Sequence, residues 1–166
     1  MDQAAQMTHE QRATLGRARL TWLAAMLLVS PLPFVALPLT GDAWLVDVPG
    51  ASASRVTTLA LMFGLAAVGL GMFTRNQAYK AHWVGDAVSP KGYLAGCRRF
   101  FVMVVVGALA MFTISLATGY PAPTFAAAPV LIGLLIFSFP NGRPMMPTPP
   151  RIGEGTDDDS GQGATP

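Results

Sequence analysis

Four stretches of this chain carry no charged residue: Leu20 to Leu39, Val56 to Phe73, Phe100 to Ala117 and Phe125 to Phe139. A helix rises about 1.5 Å per residue, so roughly 20 residues cross a hydrocarbon core about 30 Å thick. The first run meets that length, the second and third approach it, and the fourth is short. The fourth gains a turn by starting near Pro121 or Pro123, because proline loses nothing at a first helical position. Each run is apolar throughout, with none of the alternation that a membrane β-strand requires. Only 12% of residues are charged and 52% are hydrophobic, against about 25% charged in soluble domains. The expectation is an all-α integral membrane protein, a bundle of four transmembrane helices at about 20–39, 56–73, 100–117 and 123–139.

The basic residues set the threading. Arg12, Arg17 and Arg19 precede the first run, and Arg75, Lys80, Lys91, Arg98 and Arg99 lie between the second and third. Arg143 and Arg151 follow the fourth, so ten of the eleven cations fall on one side, opposite Arg55 with Asp42 and Asp47. Lys and Arg accumulate on the cytoplasmic side of membrane proteins. Residues 1–19 and 141–166 are therefore expected in the cytoplasm, with 20–140 forming the membrane domain of an inner (plasma) membrane protein. Nine Arg to two Lys, with abundant Ala, Gly and Pro, is the bias of GC-rich bacterial genomes. Trp22, Trp44, Trp83, Tyr79, Tyr93 and Tyr120 fall at or beyond the expected span ends, where an amphipathic ring keeps its polar atom wet. The first run is too long for the apolar region of a secretory signal.

Packing signals are sparse. Ala60, Gly64, Ala67 and Gly71 recur at steps of four, three and four, placing small residues on one face where backbones can approach closely. Gly107, Ala110 and Gly133 make a weaker case in the later spans. Pro31, Pro33 and Pro38 interrupt the first span, each removing a backbone donor, and predict a kink near Ser30 to Pro33. Ser89 before Pro90 predicts a helix start, and a helix from Pro90 to Ala117 would be about 42 Å long, projecting beyond the membrane. At the end of the fourth run, Pro140, Asn141 and Gly142 supply a turn. Arg143 then marks the surface, and a proline-rich stretch is expected to lead as extended chain into a disordered acidic tail.

Chemistry is harder to find. No ionisable side chain lies within the four runs, whereas proton relays and ion paths place such groups there. His9 and His82 both lie outside the runs, which leaves no axial pair for a membrane haem, and no cofactor is expected. Cys97 is the single cysteine, excluding an internal disulfide and a thiolate metal cluster. Ser30, Ser115 and Ser138 share their depth with no base, so no serine nucleophile is expected. A net charge of +2 with dispersed cations gives no nucleic-acid footprint.

The reactive side chains gather in the loop between the second and third runs. His82 and Asp86 would share a face if residues 76–88 were helical, giving a surface hydrogen bond in preference to a metal site. Cys97 beside Arg98 and Arg99 is read as a small packing residue in preference to an activated or acylated thiol. Lys91, Arg98, Arg99 and Arg143 are read as headgroup and topology determinants, each cation worth about 1 kcal/mol near an anionic leaflet. The expectation is thus a non-catalytic multi-pass protein, an accessory or structural component in the lipid bilayer packing against itself or a membrane partner. The alternative is a small transporter or channel component using the broken first helix. A third reading is an interfacial enzyme acting through Tyr79, His82, Asp86 and Cys97.

Overall fold

The computed structural model describes residues 7–40 and 50–147. The architecture is helical. Helix α1 spans His9–Val29, α2 Leu32–Thr40, α3 Gly50–Ala81, α4 Pro90–Thr118 and α5 Ala122–Phe137. A two-stranded hairpin, β1 (Trp83–Val84) with β2 (Ala87–Val88), joins α3 to α4, and a 3-10 turn at Arg143–Met145 follows α5.

Three helical arms, His9–Thr40, Thr57–Ala81 and Pro90–Thr118, are long and apolar enough to cross a membrane. The fourth, α5, has 16 residues, about 24 Å. The helices overrun the apolar runs mainly at one end, although α3 also begins six residues before Val56 at the other. Helix α1 begins eleven residues before Leu20, and α3 and α4 continue through 74–81 and 90–99, which carry Arg75, Lys80, Lys91, Arg98 and Arg99. Local chemistry explains these starts. Thr8 and Gln11 form a reciprocal capping box on α1, and the Ser89 hydroxyl accepts the Gly92 N–H at 3.3 Å with Pro90 in the first turn.

Helix α4 is the centre of the bundle, in contact with α1, α2, α3 and α5. Phe100, Val104, Ala108, Met111 and Ser115 on α4 are buried together with Val29 of α1 and Leu135 of α5. The α1–α2 arm and α3 flank the α4–α5 pair. The far end is closed by a buried polar knot: the Ser115 and Thr124 hydroxyls are 2.8 Å apart, and Ser115 Oγ accepts the Thr124 N–H at 3.1 Å. Gly119, at φ 71°, ends α4 in a left-handed conformation that favours glycine. The chain then enters α5.

Three expectations need correction or refinement. The kink expected near Ser30 to Pro33 is present as a full break: helix stops at Val29, turns through Ser30 and Pro31, and resumes at Leu32. Pro33 falls in the first turn of α2, where its missing N–H costs nothing, and of the three prolines in this span Pro38 alone sits inside the helix. Residues 76–88 are not continuously helical. Helix ends at Ala81, and Gly85, at φ 58°, opens the two-residue hairpin turn between Val84 and Ala87. Residues 141–147 do not leave the bundle as extended chain. They fold back over it, with Met145 only 1% exposed, because burying that side chain and meeting its backbone partners outweighs local preference. The rest of the expected tail, 148–166, and the loop with Trp44 lie outside the described residues.

Candidate functional site

Two features of the charged end have the geometry of a site: a buried aromatic cap and an open cationic groove. The cap is built where α3 ends and α4 begins. The Tyr79 and Tyr93 rings stack with centroids 6.0 Å apart and planes 13° from parallel. Tyr79 Oη lies 3.6 Å from Cys97 Sγ. Close helix approach makes this possible, since a side chain at Gly96 would occupy the space of the Tyr79 ring and one at Gly92 that of His82. The Arg75 guanidinium lies 5.0 Å from the Phe100 ring centroid and 6.0 Å from that of Tyr79. Its Nε is buried with no acceptor among the described residues.

The segment after α5 is strapped across this end. Gly142 N–H donates to Tyr93 Oη at 3.2 Å, and the Gln11 side-chain amide donates to Met145 O at 2.8 Å. Arg19 Nε donates to Pro140 O at 3.4 Å while its guanidinium covers Phe139 at 5.3 Å. Trp22 meets the edge of Phe139 at 5.0 Å and donates through Nε1 to Leu135 O at 2.7 Å. That bond satisfies a carbonyl in the last turn of α5, where helices run out of internal donors. The described chain therefore begins and ends at the same end of the bundle.

Of the interfacial-enzyme residues, only Tyr79 and Cys97 come together. His82 Nδ1 lies 3.0 Å from Ala78 O, and Asp86 sits at the exposed hairpin turn. Cys97 is buried among tyrosines, which withholds the thiol from solvent. Among the described residues no three His, Cys, Asp or Glu side chains gather as a metal site. Ser115 is committed to Thr124, which gives it a structural part.

The other named residues fall into three places. Ala60, Gly64 and Gly71 are buried and Ala67 half-buried, all on the α4 side of α3. A Cβ on Gly71 would lie 3.0 Å from Met103 Cβ, and one on Gly107 3.3 Å from Ala67 Cβ. Pro31 lies in the helix break and Pro33 just beyond it, where the adjoining cavity of about 10 Å³ is walled mainly by apolar side chains such as Val29, Leu32 and Met111. That is room for about one water. Lys91, Arg98 and Arg99 are exposed and line a groove of about 670 Å³, whose floor includes Ala95, Val102 and Met103. Arg143 is exposed on the strap, outside that groove.

Trp22, Gln11 and the Ser115–Thr124 pair carry structural roles that sequence reasoning missed. Thr8-x-x-Gln11 and Gly92-x-x-x-Gly96 were legible signals for a capping box and a close helix contact. Nothing local marks Trp22 as the partner of a carbonyl 113 positions away. The chain matches no family model, no curated protein and no solved structure.

Proposed function

We propose that this chain is a non-catalytic multi-pass protein of a bacterial inner membrane, an accessory or structural component that packs against itself or a larger membrane partner. The observation that carries the reading is the apolar belt. Leu27 is 67% exposed, Phe34 77%, Leu59 67% and Phe63 53%, all within the charge-free runs. Contiguous apolar surface on this scale is rare on soluble monomers, and lipid removes its cost. The cations gathered at one end favour a cytoplasmic placement of that end and of both termini. Helix α5 acts as the fourth span, its short length met by local bilayer thinning or by the residues that flank it.

Two further observations support a packing role. Inside the bundle, the hydroxyls of Ser115 and Thr124 bond to each other and Trp22 to backbone, which is the work of holding helices together. Along α3 and α5, a groove of about 250 Å³ is lined by Gly64, Leu65, Val68, Ala126 and Val130, small and apolar residues suited to a neighbouring helix.

The test is extraction followed by native mass spectrometry. The protein is expected to stay in membranes washed at alkaline pH and to emerge from mild detergent as a homo-oligomer or with a co-purifying membrane protein. Release by the alkaline wash overturns the membrane reading, and a chain found only as free monomer overturns the accessory role.

A further inference from the structure

The groove on α4 joins cationic and apolar chemistry on one surface. Lys91, Ala95, Arg98, Arg99, Val102 and Met103 lie on one helical face and wall the same open space of about 670 Å³. Along the axis, Lys91 stands about 10 Å from Arg98, at 1.5 Å per residue. Arg98 and Arg99 come immediately before the apolar run that begins at Phe100. Below them the face continues as exposed hydrocarbon, with Val102, Val106 and Leu109 all presented outward. Among the described residues no carboxylate lines this groove, and the only two are Glu10, on α1, and Asp86, at the hairpin turn.

We propose that this groove is a binding site for one acidic phospholipid, and this rests on the membrane reading above. The phosphate sits between the guanidinium groups of Arg98 and Arg99, whose planar forks suit bidentate bonding to phosphate oxygens. Lys91 neutralises the outer part of the headgroup as a point charge. One acyl chain follows Val102 and Val106 into the apolar belt, and the small side chain of Ala95 leaves room for the headgroup between the cations. An anion without acyl chains would use only half of this surface, and a neutral lipid would leave three cations unmatched. The charge complementarity and the continuous apolar track therefore both point to a lipid with a net negative headgroup.

The test uses the full-length chain in nanodiscs of mixed phosphatidylglycerol and phosphatidylethanolamine, followed by native mass spectrometry after transfer to detergent. Wild type is expected to retain phosphatidylglycerol selectively. K91Q/R98Q/R99Q is expected to lose roughly a hundredfold in that retention, each charge being worth about fivefold near an anionic surface. Because removing cations also disturbs insertion, Ala95→Phe provides a second variant that fills the groove with every charge in place. It is expected to lower retention several-fold, whereas R12Q/R17Q, cations on α1 outside the groove, is expected to leave it unchanged. Equal retention by Ala95→Phe and wild type, in protein that stays membrane-integrated and helical, overturns the site while leaving the membrane reading intact. A carbodiimide cross-link from Lys91 to Glu154 or Asp157 to Asp159 also overturns it, by putting the chain's own acidic segment in the groove.

Discussion

Ser115 is fully buried near the end of α4, and its hydroxyl has two partners on α5, the Thr124 N–H and the Thr124 hydroxyl. Replacing it with alanine leaves a donor at the start of α5 unsatisfied in an apolar setting. Ser115→Ala is expected to destabilise the protein by about 1 kcal/mol, read as a lower melting temperature in detergent, with an unchanged melt refuting the knot. Cys97 makes the opposite kind of prediction. Its side chain is buried beneath Tyr79, so maleimide labelling is expected to be slow in folded protein and fast after denaturation. Equal rates in the two states would contradict the buried position.

Helices α3 and α4 meet along a seam of small residues, with Gly71 against Met103 and Phe100, and Gly107 against Ala67. The seam tightens toward the charged end, where the Tyr79 ring fills the space above Gly96. Gly96→Leu is expected to force the helix ends apart at a cost of about 1–3 kcal/mol, measured by thermal unfolding. The strap after α5 depends on a different set of contacts. Tyr93→Phe removes the acceptor of the Gly142 N–H, and is expected to accelerate hydrogen exchange at Gly142 while α4 stays protected. Exchange unchanged at Gly142 would show that the strap is held by Gln11 and Arg19 alone.

The whole molecule is polarised along its long axis. One end carries every described cation but Arg55, with the hairpin, the tyrosine stack and the strap, and the opposite end closes on the Ser115–Thr124 knot. Between them lies exposed hydrocarbon. This distribution suits a bilayer, where the hydrophobic effect acts on the belt and charge selects the side. Reporter fusions after Thr40 and after Pro166 are therefore expected to give opposite signals, external for the first and cytoplasmic for the second. A cytoplasmic signal after Thr40 would reverse the orientation.

Much of this was legible in the chain because transfer free energy adds residue by residue and helical length follows from it. The apolar runs, the Ser89–Pro90 start and the side carrying Lys and Arg are local properties of that kind. The sites at the charged end are not. Residues 76–81 complete α3, whereas 83–88 form a hairpin whose turn opens on Gly85 at φ 58°. Proline-rich 141–147 reads locally as extended chain, and it is ordered by Gln11, 134 positions away from Met145, and by Tyr93. The break at Ser30 and Pro31 was visible, but its tight apolar surroundings came from Met111 and Leu131, contributed by other helices. The sequence by itself determined which segments are apolar and where charge stops them, because those preferences are summed over neighbours along the chain. Only the tertiary structure decided how the charged ends close on one another and leave a cationic groove open, because those contacts join residues whose separation no local preference records.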